Sequence, residues 1–409
     1  MPATPPPSPV PLAGRSLSLA LLAMAIGGFT IGTTEFASMG LLPQIAVGLA
    51  VTVPEAGHLI SAYALGVVVG APMIVVAAAR LERKRLLVLL ACAIALGNAL
   101  SAVAPGFASM TAARFLAGLP HGAYFGVAAL IAATLAGPAR RGRAVSLVML
   151  GLTIATMVGV PLATILGQLV GWRSTYGFVV LTALVTVVAV WRWVPALPRP
   201  GVAASARSEL RAFRHGQVWF ALGIGAVGFG GMFAVYSYIG EIVPEVFGLS
   251  MAGVPVALAV FGIGMTVGNL VAGRLSDWNV MGTVVLGLIG MAALLAVFAL
   301  TAEMLTDEVP VVGMVGLFLI ASISQFLGPS LQTRLLDASP DAPSLAAALH
   351  HSALNIGNAT GAWIGGAVIA AGFGYLAPAW AGAVLAVAGL VVTGAAILAE
   401  QRARERALI

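Results

Sequence analysis

Charged residues are too scarce in this chain to cover the surface of a protein that folds in water. The 409 residues include only 20 Lys or Arg and 14 Asp or Glu, and 60% of the chain is hydrophobic. Soluble proteins carry charge on about one residue in four. Because a membrane-spanning helix needs about 20 apolar residues, the sequence predicts an all-α integral membrane protein.

Twelve apolar runs, separated by short polar or Pro- and Gly-containing breaks, predict twelve transmembrane helices. The longest break divides them into two sets of six. We expect a disordered cytoplasmic N-terminus at 1–16, a six-helix bundle at 17–194, a cytoplasmic linker at 195–217, a second six-helix bundle at 218–399 and a cytoplasmic tail at 400–409.

The basic residues lie almost entirely on one predicted side of the membrane. With the N-terminus placed in the cytoplasm, 18 of the 20 Lys and Arg fall in inner segments, Arg173 falls outside and Arg114 falls within the fourth span. Because cytoplasmic loops carry an excess of Lys and Arg, both termini are predicted to be cytoplasmic. The net charge of +6 is then explained by topology, and nucleic acid binding is not expected.

The motifs of enzymes and metalloproteins are missing from the sequence. Cys92 is the single cysteine, which excludes an intrachain disulfide and a multi-cysteine metal site. The sequence contains no H-E-x-x-H, G-x-S-x-G or Walker A motif. We therefore predict no enzymatic activity, no cofactor and no metal.

The two halves carry related features at a nearly constant offset. Pro43 and Pro244 close the first helix of each half, 201 residues apart, and a Gly-x-x-x-Gly pair begins at Gly66 in the second helix and at Gly264 in the eighth. A parallel repeat of two pseudo-symmetric six-helix bundles is typical of transporters whose substrate site lies between the halves near mid-membrane.

Stripes of small residues, spaced four apart, mark helices five and eleven. Such stripes allow close helix approach in lipid, and we predict that they form a moving contact between the halves. The alternative is ordinary static packing. The stripes are Gly151, Ala155, Gly159, Ala163 and Gly167 in helix five, and Ala353, Gly357, Gly361 and Gly365 in helix eleven.

Glu35 is the one carboxylate deep within a predicted span, and an ionisable residue at such depth marks a functional site. We predict that it takes up and releases a proton, with Arg114 as its partner and His121 on the same face of helix four. The alternatives are a permanently paired or interfacial glutamate and a structural arginine bonded to backbone carbonyls.

Aromatic and polar side chains in the second half predict a binding site for a small molecule. Phe229, Phe233 and Tyr236 share one face of helix seven, and under the repeat Tyr236 corresponds to Glu35. Packing or lipid contact is the alternative for this stripe. For the adjacent histidines of helix eleven the alternative is a packed, hydrogen-bonded role. The predicted substrate-binding residues are Phe229, Phe233, Tyr236, Tyr124, His351 and Asn355.

Three short motifs resemble those of the major facilitator superfamily, in its twelve-helix drug:proton antiporter branch. Residues 273–277 resemble its G-x-L-x-D loop, residues 114–118 its helix-four R-x-x-x-G, and residues 159–162 its helix-five antiporter motif. The resemblance implies conformational roles for Gly159, Pro161, Gly273 and Asp277 and a role in proton transfer for Arg114.

The segments 32–36, 39–43 and 62–66 resemble a subgroup of sugar, purine and chloramphenicol exporters. Many drug:proton antiporters carry an Asp where this chain has Met39, which favours Glu35 as a relocated proton site. The resemblance implies a monomeric, proton-coupled exporter of drug-like, sugar or nucleoside-like compounds in a bacterial inner membrane. The alternative is a proton-independent facilitator or an importer of a small polar metabolite.

Overall fold

A computed structural model describes residues 14–78, 81–137, 140–197, 215–304, 309–339 and 343–407. Most of the linker, and residues 1–13 of the N-terminal segment, lie outside these ranges. The first half consists of α1 (Gly14–Gly40), α2 (Val53–Ala77), α3 (Arg83–Val103), α4 (Phe107–Ala136), α5 (Arg141–Val170) and α6 (Arg173–Trp193).

The second half repeats this arrangement. Its helices are α7 (Gly216–Tyr236), α8 (Gly253–Trp278), α9 (Val280–Met304), α10 (Val309–Ala338), α11 (Pro343–Ala370) and α12 (Ala377–Ala407). The first helix of each half is followed by a short helix, Leu42–Leu49 or Ile239–Glu245, that contains Pro43 or Pro244. The repeat inferred from these prolines is therefore visible in the structure.

Eleven of these helices are long and apolar enough to cross a membrane. The remaining one, α11, has 28 residues and is less apolar because two histidines and two asparagines interrupt it. The prediction of twelve helices in two bundles is confirmed. Helix α12 continues to Ala407, through most of the predicted tail at 400–409.

The outer surface is covered by large apolar side chains, as a lipid environment requires. Val188, Val391 and Leu169 are 63%, 70% and 80% exposed, respectively. In water such a surface would drive aggregation, whereas in a bilayer it contacts the acyl chains. The hydrophobic excess of the sequence is therefore distributed between lipid-facing helix surfaces and a helix-packed interior.

Pro161 shapes α5 near its middle. Proline has no N–H and its ring conflicts with the preceding turn of an α-helix, and here the turn Ala155–Gly159 is a π-helix. The N–H of Val160 accordingly donates to the carbonyl of Ala155, five residues back. This wide turn re-aims the side chains of α5 at the level where α5 meets α8.

The small-residue stripes pack within each half. A methyl group added to Gly151 would collide with the Ala25 carbonyl of α1, and one added to Gly361 would collide with the Gly230 carbonyl of α7. Gly66 likewise meets α4 through the Phe115 carbonyl. The prediction that the stripes form a moving contact between the halves is wrong, because their small surfaces are used for close static packing.

The two halves meet through other faces of the same helices. Ser61 of α2 donates to the Ala359 carbonyl of α11 at 3.1 Å, and Gln168 of α5 donates to the Met251 carbonyl before α8 at 2.9 Å. Phe36 and Met39 of α1 belong to one hydrophobic cluster with residues of the second half. These contacts determine which side chains face each other at the centre of the molecule.

Candidate functional site

Glu35 lies on α1 at the centre of the molecule and is 6% exposed. Its Oε2 is 4.0 Å from Nδ1 of His121 on α4. The amide of Asn358 on α11 adjoins the same carboxylate. Glu35 is therefore enclosed by polar groups from both halves.

Arg114 is fully buried and forms no ion pair with Glu35 in the described part of the chain. Its Nη1 donates to Oγ1 of Thr34 at 3.1 Å, and its Nη2 donates to the Thr34 carbonyl at 3.0 Å. Successive side chains on a helix point about 100° apart, so a guanidinium that binds Thr34 approaches α1 from another side than Glu35. The contacts match the alternative of a structural arginine bonded to a backbone carbonyl, and the Arg114 charge acts on the Glu35 carboxylate without a direct ion pair.

An indirect connection nevertheless joins Arg114 to Glu35. The guanidinium carbon lies 4.4 Å from the ring centroid of Tyr63, and the Tyr63 hydroxyl lies 3.0 Å from Nδ1 of His121. His121 in turn faces Glu35. Arg114 thus holds Tyr63, and Tyr63 positions the His121 ring beside the carboxylate. The predicted group of Glu35, Arg114 and His121 is brought together in this order.

A cavity of about 220 Å³ lies between the two halves, and Glu35 lies at the end of the cavity that is deepest in the molecule. It extends along the first part of α5 and α11 and the last part of α8 and α10. Twelve antiparallel spans place both chain ends on one side, and those helix segments lie on that side. The cavity therefore opens toward the side of the chain ends, while contacts such as Gln168 with Met251 close the opposite side.

The cavity wall contains one charged side chain besides its histidines, which is Glu35. Aromatic and methionine side chains form one part of the wall, and carboxamides from the second half form another. The apolar lining includes Phe36, Phe229, Met232 and Phe233, and the carboxamides are Asn269, Gln325, Gln332 and Asn355.

Four of the six predicted substrate-binding residues line this cavity, namely Phe229, Phe233, His351 and Asn355. Phe233 stacks on Phe36 with ring centroids 6.3 Å apart, and His351 stacks on Phe125 of the other half at 5.1 Å.

Tyr236 and Tyr124 lie outside the wall. Tyr236 stacks on Phe261 at 4.2 Å and meets the edge of Phe36 at 5.6 Å, so it supports the aromatic wall from behind. Tyr124 donates to the Met24 carbonyl at 3.2 Å in the core of the first half. The prediction that these two residues face substrate is wrong, because shared helical periodicity does not reveal which face a neighbouring helix covers.

The four motif residues also lie away from the cavity. Gly159 packs against Phe29 and Thr33 of α1, and Pro161 follows the π-turn. Gly273 and the exposed Asp277 lie in the last turns of α8 rather than in a loop.

Several residues of the cavity wall were not among the predicted substrate-binding residues, although the sequence pattern marks some of them. Gln325 and Gln332 are seven residues apart in α10, which places both carboxamides on one helical face. Phe36 adjoins Glu35. His350 also lines the wall. Polar carboxamides repeated at helical spacing within an apolar span are the pattern that marks such a surface.

Comparison with known proteins identifies the family. The model of the Major Facilitator Superfamily matches residues 24–343. The chain belongs to this superfamily. Its members are membrane transporters, so this is a multi-pass membrane transport protein, and the predicted family is confirmed.

Relatives in this superfamily match nearly the whole chain. The inner membrane transport protein YdhP of Escherichia coli K12 is 37% identical over 380 residues, covering 92% of this chain and 94% of YdhP. A chloramphenicol resistance protein of Streptomyces lividans is 35% identical over 379 residues, covering 92% and 95% of the two chains.

Solved structures of the superfamily share the fold. The xylose transporter XylE from E. coli, in a partially occluded inward open conformation, matches with a TM-score of 0.70 at 14% identity, covering 92% of this chain and 97% of that chain. The two proteins therefore share the overall fold.

Proposed function

We propose that this chain is a proton-coupled exporter of small molecules in a bacterial inner membrane, with both termini in the cytoplasm. The observation that carries the proposal is the placement of Glu35. A buried carboxylate in the wall of the central cavity, 4.0 Å from a histidine and in direct ion-pair contact with no Lys or Arg of the described chain, is suited to exchange a proton with the cavity.

The proposed cycle is alternating access. In the conformation described here the cavity opens toward the cytoplasm and receives substrate. The halves then rock about the interfaces between α2 and α11 and between α5 and α8, and contacts that close the opposite side, such as that of Gln168 with Met251, open. Protonation of Glu35 from the outside promotes substrate release, and return to the inward state delivers the proton to the cytoplasm.

Arg114 contributes by positioning other groups in this proposal. It orders Tyr63 through the ring contact, and Tyr63 holds the His121 ring by the 3.0 Å contact with Nδ1. A fixed His121 ring is a polar neighbour of Glu35. The hydrogen bonding between the two side chains differs when Glu35 is a carboxylate and when it is a carboxylic acid. Export rather than import is supported by the relative named as a chloramphenicol resistance protein.

The proposal is tested with purified protein in liposomes that carry a pH gradient and a lumenal pH indicator. We expect addition of a transported compound to release protons, and Glu35→Gln to abolish gradient-driven transport. Exchange of labelled for unlabelled substrate, which moves no net proton, should persist in Glu35→Gln.

Glu303→Gln is the matched control, because Glu303 is exposed near the end of α9 and the same atoms are changed. Gradient-driven transport that continues in Glu35→Gln would reject Glu35 as the proton site. Transport that never responds to the gradient in the unmodified protein would favour a facilitator.

A further inference from the structure

Unpaired polar atoms line one face of α11. His351, Asn355 and Asn358 are spaced at i, i+4 and i+7, which places them along a single helical face. Asn355 uses its Nδ2 to donate to the His351 carbonyl at 3.0 Å, but its Oδ1 has no partner. The Asn358 amide adjoins the Glu35 carboxylate, and Nδ1 of His350 is unpaired.

These groups are almost completely buried, with Asn355 at 2% and Asn358 at 0% exposed. Buried polar atoms are normally paired, and leaving them unpaired lowers stability. Their concentration along one helix that borders the cavity indicates a surface prepared for hydrogen bonds with a bound molecule. The face runs from His351 near the mouth to Asn358 beside Glu35.

The aromatic wall of the cavity suits an apolar group rather than a hydrogen-bonding one. Phe36, Phe229 and Phe233 offer no hydrogen-bonding atoms in their side chains and border the same cavity. Phe36 and Phe233 lie nearly parallel, at 20° between ring planes. A flat apolar group can pack against this pair, which is the usual way in which pockets combine an apolar wall with a few polar groups.

The charge of the cavity restricts the ligand further. Glu35 is the one acidic side chain in the wall, and no Lys or Arg lines its described part. A carboxylate or phosphate placed here would lose its hydration and gain no cationic partner. It would also be repelled by ionised Glu35.

We propose that the substrate of this transporter is an uncharged molecule with two unlike ends. Its planar apolar end packs on Phe36 and Phe233, and its hydroxyl- or amide-bearing end binds the carboxamide of Asn355, whose Oδ1 is unpaired at the cavity wall. This inference rests on the proposed export function and specifies its substrate class. Because Asn358 adjoins Glu35, the polar end of the substrate binds beside the proton site.

The test measures equilibrium binding to the purified full-length protein in detergent, without any gradient. Two uncharged probes have the required form: chloramphenicol, with an aryl ring and a diol–amide end, and uridine, with a planar base and a ribose. Their anionic counterparts are chloramphenicol succinate and uridine 5′-monophosphate. Chloramphenicol acetate blocks a hydroxyl without adding charge and controls for the ester.

We expect at least one uncharged probe to bind, and its anionic counterpart to bind more than about tenfold more weakly, as expected for an unpaired charge in a buried site. The acetate should bind more tightly than the succinate. In Glu35→Gln the difference in affinity between the uncharged and anionic probes should become smaller, because the carboxylate that repels an anion is gone. Equal or tighter binding of the anionic probes, or binding of neither uncharged probe, overturns the proposal.

Variants test the orientation of the bound molecule. Asn355→Leu should weaken binding of the uncharged probe about fivefold, as expected for one lost hydrogen bond. Thr393→Val is the control, since Thr393 is also buried, in α12, and donates within its own helix. Unchanged affinity in Asn355→Leu overturns the assignment.

Two outcomes separate this inference from the proposed function. Binding that follows the expected pattern, together with Glu35→Gln liposomes that retain gradient-driven transport, rejects proton coupling and keeps the substrate class. Tighter binding of the anionic probes, together with proton release upon transport, rejects the substrate class and keeps proton coupling.

Discussion

Replacing Arg114 by Gln tests whether this arginine acts mainly through structure. The substitution removes two charge-assisted hydrogen bonds to Thr34, each contributing about 1.5–3 kcal/mol. It also removes ring contacts with Tyr63 and Tyr176 at 4.4 and 5.5 Å, which together contribute about 1–2 kcal/mol. Eliminating a buried charge offsets part of this loss because its desolvation cost disappears.

The net destabilisation expected for Arg114→Gln is therefore about 2–4 kcal/mol. For a bundle the size of the first half this corresponds to a fall of about 4–16 °C in apparent Tm. The Tm is measured by fluorescence-detected unfolding of the detergent-solubilised protein at a fixed heating rate. Arg114→Lys should recover only part of the loss, because an ammonium cannot reproduce the planar two-nitrogen contact with Thr34.

Arg173→Gln provides the control for this measurement. Arg173 also donates to one carbonyl, that of Ala104 at 2.9 Å, and lies 4.1 Å from a Trp172 ring centroid, but at the exposed end of α6. Its loss should cost about 1 kcal/mol or less. An Arg114→Gln protein with unchanged Tm that has lost proton coupling would refute the structural interpretation and restore the direct functional pairing with Glu35.

Three other substitutions have expected outcomes. Gly66→Ala should reduce stability by more than about 2 kcal/mol, because the new methyl group meets a backbone carbonyl of α4. Gly126→Ala is the control and should leave stability unchanged, because open space surrounds Gly126. Thermal unfolding of the two variants measures the difference. Tyr124→Phe should lower stability by about 1 kcal/mol and leave the KM for transport unchanged. Phe233→Ala, in the cavity wall, should raise the KM, and the opposite ranking of these two variants would contradict the placement of the cavity.

The features that the sequence predicted well are local ones. Span length and apolar content depend only on neighbouring residues and on the thickness of the bilayer, so twelve helices could be counted. The repeated Pro43 and Pro244 indicated the two halves for a similar reason. The position of Glu35 within α1 was also readable, because an ionisable residue stands out against an apolar run.

The sequence did not predict which helices and side chains contact each other. The stripe that contains Gly361 predicts close approach to some helix, and the structure shows that this helix is α7. Arg114 was expected to contact Glu35, but its guanidinium binds Thr34, the residue that precedes Glu35 in α1. The sequence therefore indicated which residues meet at the site but not which of them contact each other.

The sequence by itself thus determined that this chain spans a membrane, in how many helices, with what internal repeat and with one carboxylate in its interior. The tertiary structure alone decided that His121 faces Glu35, that Tyr124 and Tyr236 lie outside the cavity, and that α11 presents the unpaired Oδ1 of Asn355 at the cavity wall. The physical reason is that lipid is as apolar as the helices themselves. Hydropathy therefore specifies which segments enter the bilayer, whereas packing and hydrogen bonding among all twelve helices decide which face meets which neighbour.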